Sequence, residues 1–421
     1  MLKWFMLAVY IILCGYVMWS FCRWTKKIDL PKRHIFNVIA CMLIILFATS
    51  IFLGKFLPES SHQLLILRIS NYWVGFLIYL IFFIVAADLL LLFLKLIAMA
   101  VKPLTESLTK CLKGALFHTI LGALVFALSI SFTVYGCFHA KMLTTAHYEA
   151  TIHKNAGNLT DQNLTNRNLT DLTDRNLTDL KMILIGDLHM GYSIGCSQIE
   201  DMVAAINAEN ADIVVIAGDL FDNNYDALDD PERLETLLSE IHTTYGTYAV
   251  FGNHDVEETL ISGFPISSDK NAPRDPRMDT FLEKSNIHML EDKTVVIADS
   301  FYLTGRLDET RTGTGTARAS LDELTANLDS SMPLFLLTHE PDHLSDYSAH
   351  GVDMLLCGHT HAGQFFPLTI VQPFVWENHW GMKMVDNMYS FVTSGVGVYG
   401  PDMRVGTNSE IMVIDVHFDK E

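Results

Sequence analysis

The apolar residues of this chain fall into two regimes. Up to about residue 140 they form four long stretches, roughly Leu2 to Phe21, Ile35 to Leu53, Tyr72 to Leu94 and Ala115 to Phe138. Each is close to the ~20 residues that carry a helix across a bilayer. Beyond residue 180 the apolar runs are short and rich in Val, Ile and Leu. Between them lie stretches of helical period: Cys196 to Asn210, apolar at Ile199, Val203 and Ile206, and Asp230 to Thr243, apolar at Leu234, Leu237, Leu238 and Ile241. Short β-branched runs read as buried strands, and their alternation with helices predicts an α/β domain built on a largely parallel sheet. The expected organisation is an N-terminal all-α transmembrane bundle of four spans over 1–140, a flexible linker over 141–180 and an α/β domain over 181–421.

Asn158, Asn163, Asn168 and Asn176 each open an Asn-Leu-Thr copy, with Asp171-Leu172-Thr173 a degenerate one. A repeat this short and polar cannot hold a core, so it is expected to act as a tether. Each copy is also formally a glycosylation acceptor, although tandem duplication alone accounts for the pattern.

Charge is divided as unevenly as hydropathy. Residues 1 to 180 hold 16 Lys and Arg against 9 Asp and Glu, and residues 181 to 421 hold 13 against 39, which gives +7 and −26. A half this acidic repels nucleic acid, which proteins bind mainly by neutralising phosphates. In the apolar half Arg23, Lys26, Lys27, Lys32 and Arg33 share one connection, and Lys95, Lys102, Lys110 and Lys113 follow the third span. The positive-inside rule places both groups in the cytoplasm. That puts the acidic domain on the extracytoplasmic face of a cell membrane crossed several times. Lys3 is a weak signal-peptide n-region and no small-residue cleavage site follows, so the first stretch is expected to stay as a span. Asp88 interrupts the third span and is expected to be interfacial, the alternative being a functional intramembrane carboxylate. The seven cysteines show no disulfide framework.

Five apolar runs in the second half end in the same way, with a polar residue of metal-ligand type that is in four of them introduced by glycine. They are Ile183-Leu184-Ile185-Gly186-Asp187-Leu188-His189, Ile213-Val214-Val215-Ile216-Ala217-Gly218-Asp219, Tyr248-Ala249-Val250-Phe251-Gly252-Asn253-His254-Asp255, Leu334-Phe335-Leu336-Leu337-Thr338-His339 and Met354-Leu355-Leu356-Cys357-Gly358-His359-Thr360-His361. Singly, an aspartate after a strand is often a helix cap and a lone histidine is usually structural. Seven such residues in one context point instead to a joint site at the carboxyl ends of the strands. Asp187, His189, Asp219, Asn253, His339, His359 and His361 offer nitrogen and oxygen donors suited to Mn, Fe or Zn. No thiolate finger and no compact oxygen-only loop is present, and seven ligands are too many for one ion. With Asp219 shared, two ions about 3.5–4 Å apart can be filled, the arrangement that activates water for attack at phosphorus.

These motifs, Gly-Asp187-x-His189, Gly-Asp219, Gly-Asn253-His254-Asp255, His339 and Gly-His359-x-His361, resemble the five-motif signature of calcineurin-like metallophosphoesterases. The stretch Gly358-His-Thr-His-Ala-Gly-Gln364, with Ser394-Gly395-Val396-Gly397, Gly400-Pro401 and Arg404-Val405-Gly406, is similar to bacterial membrane-anchored phosphodiesterases. The resemblance implies an αββα sandwich of two mixed sheets. It implies that Asp187, His189 and His361 bind one metal, that Asn253, His339 and His359 bind the other, and that Asp219 bridges. His254 would then face the scissile phosphate, with Asp255 orienting its ring. Ala362 stands where the subfamily usually has glycine and is expected to be neutral. Arg306 is a candidate phosphate contact. His242, His288, His343, His350, His379 and His417 are expected to be structural.

The function expected is hydrolysis of a phosphodiester, lipid-linked substrates included, by a membrane-anchored enzyme with two metal ions. A phosphomonoesterase or pyrophosphatase on the same site, or a non-catalytic membrane sensor, are the alternatives. The oligomeric state is open.

Overall fold

The computed structural model describes residues 2–28, 30–56, 61–100, 102–154, 179–257, 260–261, 264–265 and 269–419. The chain divides into two compact units, one of Met1–Phe138 with Leu260–Ser267 and Gly400–Met403, the other of His139–Thr259, Ser268–Tyr399 and Arg404–Glu421.

The first unit is helical: α1 (Leu2–Thr25), α2 (Arg33–Phe56), α3 (Ser61–Ala100), α4 (Lys102–Lys113) and α5 (Ala115–His139). Four of these, all but α4, are long and apolar enough to cross a membrane. Cys14, Val17, Ala48, Ile51, Trp73, Leu77 and Leu80 meet in its core. The third helix runs well past the expected span, since 40 residues at 1.5 Å rise reach roughly 60 Å against a hydrocarbon layer of about 30 Å. Asp88 is paired. Arg23 donates to both its oxygens at 2.5 and 2.6 Å, and the Tyr16 hydroxyl adds a third bond at 3.2 Å. A short hairpin, β5 (Leu260–Ile261) with β6 (Phe264–Pro265), also belongs to this unit.

The second unit holds two six-stranded mixed sheets. The first is ordered β1 (Leu143–Ile152), β14 (Ser409–Phe418), β2 (Asp179–Ile185), β3 (Ile213–Ala217), β4 (Thr247–Val250), β7 (Ile287–Met289). The second runs β12 (Gly381–Val385), β13 (Met388–Val392), β11 (Met354–Cys357), β10 (Leu334–Leu337), β9 (Phe301–Gly305), β8 (Lys293–Ile297). Strand alternation builds the layers. In β3, Ile213, Val215 and Ala217 face Phe301, Phe335, Leu356 and Phe391 of the other sheet, while Val214 and Ile216 face outward. The outer core packs on Ile199, Val203, Leu234, Leu237, Met278 and Phe281 of α6 (Cys196–Glu209), α7 (Pro231–Ser239) and α8 (Pro276–Lys284). The far side of the second sheet packs on α9 (Leu321–Thr325) and α10 (Leu344–Ala349) through Leu321, Leu344 and Tyr347. The result is the expected αββα sandwich.

One boundary changes. Residues 141–180 are expected to be a tether, but Leu143–Ile152 is a ten-residue strand pairing in parallel with β14, from Leu143 against Ser409 to Ile152 against Phe418. Its period-two burial makes it an edge strand of the first sheet. The Asn-Leu-Thr copies fall at 158–178 and lie outside the described residues.

Candidate metal centre

Each candidate ligand follows the carboxyl end of a strand: Asp187 and His189 after β2, Asp219 after β3, Asn253 after β4, His339 after β10, and His359 and His361 after β11. To turn these side chains inward the backbone adopts costly conformations. Asp187, His189, Asp219, His359 and His361 have φ of 52, 46, 52, 73 and 50°. Left-handed backbone costs a non-glycine residue about 1–3 kcal/mol, and strain of this kind gathers at functional sites. The glycines beside the ligands leave room for them. A Cβ on Gly252 would run into the Asp219 carboxylate, and Gly395, at φ +80°, would press one to within 2.7 Å of the Asp187 Cβ.

The candidates gather into two clusters, Asp187 with His189 and His361, and Asp219 with His339 and His359. In the first, Nε2 of His189 lies 3.1 Å from Nε2 of His361, which is 3.7 Å from Oδ1 of Asp187. In the second, Asn253 Oδ1 is 3.0 Å from both His339 Nε2 and His359 Nδ1, and those two nitrogens are 3.1 Å apart. Asp219 addresses both clusters, its Oδ2 lying 3.1 Å from His339 Nε2 and 3.7 Å from His189 Nε2.

These contacts cannot all be hydrogen bonds. His339 Nδ1 donates to the Ala217 carbonyl at 2.7 Å, so in the neutral ring Nε2 carries a lone pair. That one nitrogen faces an amide oxygen, a carboxylate oxygen and a second imidazole, and even when protonated, as the neighbouring carboxylates favour, it donates to only one of the three. His189 Nδ1 is buried with no hydrogen-bond partner at all. A dry pocket of converging lone pairs suits cations, and the nitrogen and oxygen donors fit first-row transition ions. Sulfur ligation is not on offer: burial pushes the nearby Cys357 thiol far up, and it donates to the Glu340 carbonyl.

The electrostatics are those of a site short of positive charge. Burial raises the Asp187 carboxyl to about 7. Asp219 is equally buried, yet His339, His254 and His189 outweigh that and hold it well below the usual carboxylate range. Burial alone would lower His339, but Asp219 and Asp187 hold it well above the usual value. Burial pushes His189 and His359 down to about 3 and His361 well below its ordinary value, which keeps those rings in the neutral form that ligates metals.

His254 lies at this centre. Its backbone N–H donates to Asp219 Oδ1 at 2.8 Å, and its ring packs on Tyr399 with centroids 4.4 Å apart. Burial lowers it to about 4. Its orienting partner is not Asp255, as expected, but Asn223, whose Oδ1 is 3.1 Å from His254 Nδ1. Asp255 instead accepts the backbone N–H groups of Phe221 at 2.8 Å and Gly252 at 2.7 Å, so it ties the Asp219 and Asn253 loops together.

Sequence reasoning missed other parts. Gln364 both accepts from and donates to the Tyr399 backbone, at 2.8 and 2.9 Å, and so seats the ring that covers His254. Arg404, fully buried, donates to the carbonyls of Ser394 at 2.6 Å and Gly397 at 2.7 Å, and the Gly397 N–H in turn holds the Asp187 carbonyl. Both residues stood in quoted motifs, whereas Asn223, at φ 60°, had no signal beyond following Asp222. Arg311 donates to the Asn253 carbonyl at 3.2 Å. Arg306, a candidate phosphate contact or else a surface residue by sequence, is buried and bonded to Tyr347 and the Ala319 carbonyl, which makes it a brace for its loop. Ala362 has φ 50°, so replacing the subfamily's glycine is not neutral for the backbone. Among the described residues, the other expected structural histidines lie outside both clusters.

The calcineurin-like phosphoesterase family model matches residues 180–363. An uncharacterized metallophosphoesterase of Campylobacter jejuni is 26% identical over 243 residues, 56% of this chain and 59% of that protein. A transmembrane protein with metallophosphoesterase domain of Bos taurus is 26% identical over 235 residues, 55% of this chain and 51% of that one. Phosphodiesterase YaeI of Escherichia coli is 27% identical over 245 residues, 56% of this chain and 82% of that one. The match thus spans little more than half the length of the first of these relatives.

Proposed function

Residues 180–363 form a calcineurin-like phosphoesterase domain, and from that premise we propose that the chain is a membrane-anchored phosphodiesterase with two metal ions. It acts on the extracytoplasmic side, on substrates that include lipid-borne phosphodiesters. The observation that carries the reading is Asp219, whose one carboxylate faces His339 and His189 of the two clusters at once.

In this reading Asp187, His189 and His361 hold one ion, Asn253, His339 and His359 the other, and Asp219 is shared, with Mn, Fe or Zn the suitable metals. When bound, two such ions supply an activated water and neutralise charge at phosphorus. The protein's own part is positional. Asn223 takes the Nδ1 proton and Tyr399 holds the ring, so Nε2 of His254 is left for the substrate. As the imidazolium, which the negative charge of a bound phosphoester favours over the ring that burial holds neutral, it stabilises phosphoryl charge and gives its Nε2 proton to the leaving oxygen. Asp255, Gln364 and Arg404 keep the ligand loops rigid.

Support for a lipid-borne substrate comes from α11 (Leu368–Val375), which carries no charged residue and buries none of its side chains. Phe374 is 86% exposed and Val375 63% exposed. The next residue, Trp376, packs edge-on against the His359 ring with centroids 5.1 Å apart, so an uncovered apolar segment borders the centre. Support for the extracytoplasmic side comes from the basic residues between α1 and α2 and after α3, which the positive-inside rule assigns to the cytoplasm.

The test uses the full chain in liposomes, with soluble and vesicle-borne phosphodiesters supplied outside and Mn, Fe and Zn varied. Metal-stimulated diester hydrolysis is expected, faster on the vesicle-borne ester, and Asp219→Asn should lower it by about 10³-fold, at the upper end of what one electrostatic group contributes. Retained activity in Asp219→Asn, or a preference for monoesters, would overturn the reading.

A further inference from the structure

Among α1, α2, α3 and α5 lies a cavity of about 710 Å³, the size of a site for a small amphiphile. Most of its wall is aliphatic and aromatic, with Leu43, Phe47, Phe76, Leu80, Ile84 and Phe126 in contact with it. One end differs, because Arg23, Lys27 and Lys95 also line the cavity. Arg23 is neutralised by Asp88 at 2.5 Å. Among the described residues no carboxylate pairs with Lys27 or Lys95, which leaves two uncompensated cations at the mouth of an apolar chamber. Burial lowers the Lys27 ammonium, and the nearby Lys95 and Arg23 lower it further against a smaller opposing pull from Asp88, as expected where three cations share one carboxylate.

The cavity is also open sideways. Ile39 and Leu43 line it and are 53% and 49% exposed, so a chain lying along α2 can enter between the helices. The required occupant is anionic at one end and apolar along its length. Free phosphate would leave the chamber unfilled, and a zwitterionic lipid would bring its own cation to the two lysines. Basic pockets between membrane helices recognise anionic head groups in this way.

We propose that the helical unit holds one anionic phospholipid of the surrounding bilayer, its phosphate on Lys27 and Lys95 and an acyl chain in the cavity. Lys27 follows the end of α1 and Lys95 lies within α3, five residues before its end, and the Arg23–Asp88 pair sets the same ends of the two helices side by side, so the lipid belongs to the leaflet that the basic loops face. The site is separate from the metal centre and does not rest on the reading of that centre.

The test is native mass spectrometry of the full chain released from nanodiscs of mixed phosphatidylglycerol and phosphatidylcholine. One phosphatidylglycerol should remain bound, with little phosphatidylcholine. The double variant Lys27→Gln with Lys95→Gln should weaken retention about 10–30-fold, at about a factor of five for each lysine. Ala40→Trp leaves every charge in place and fills the chamber, and it should abolish retention while the chain still elutes as a single species. Equal retention of the two lipids, or unchanged retention in either variant, would overturn the proposal.

Discussion

Asp88 in α3 is a half-buried carboxylate and Asp219 after β3 a fully buried one, and their surroundings are balanced in opposite ways. Asp88 has a guanidinium on both oxygens and a tyrosine hydroxyl besides, so the protein supplies its whole complement of positive charge. Asp219 is surrounded by imidazoles that burial holds neutral, His339 excepted, and by a second carboxylate, Asp187, and the nearest backbone donor is one N–H of His254. The first arrangement is complete in itself. The second has more lone pairs than protons, and left-handed backbone at five of its seven candidate ligands keeps it so. A protein holds such a deficit at a cost of several kcal/mol only where something from outside will fill it.

That contrast can be tested by removing one group from each region. His254→Ala should lower turnover by about 10²–10³-fold, the range of a positioned acid–base and electrostatic group, with metal content unchanged. Loss of metal in this variant would instead make His254 a ligand and blur the difference between the regions. A smaller change is expected from Arg23→Gln, which leaves Asp88 without its cation. It should destabilise the chain by about 2 kcal/mol in thermal unfolding, less than for a fully buried pair because both side chains are about a third exposed. The activity of the folded fraction should not change. A stable Arg23→Gln would show that Asp88 needs no partner.

What could be read in advance and what could not divides along physical lines. The strand ends were legible because an apolar run, a glycine and a ligand are neighbours in sequence, and period-two burial fixes which way the strand faces. The sandwich and all seven clustered residues follow from such local signals. The edge strand β1 was not legible, since its partner β14 lies at the far end of the chain and only that pairing separates it from the polar segment after it. Asp255 was assigned to His254 by adjacency, but adjacent residues on a tight loop point in different directions, and its oxygens turned to the backbone of Phe221 and Gly252. Ala362 looked harmless by volume because volume does not reveal the sign of φ. Arg404 works through carbonyls of a loop that approaches Asp187 only in the folded chain.

The central claim is that Asp219 is shared by two cations, and counting metal tests it most directly. The full chain, purified in mild detergent and equilibrated with Mn, should carry two ions per chain by elemental analysis, and Asp219→Asn should carry fewer than one while its unfolding transition remains cooperative. A single ion in the wild type, or two in Asp219→Asn, would contradict the account.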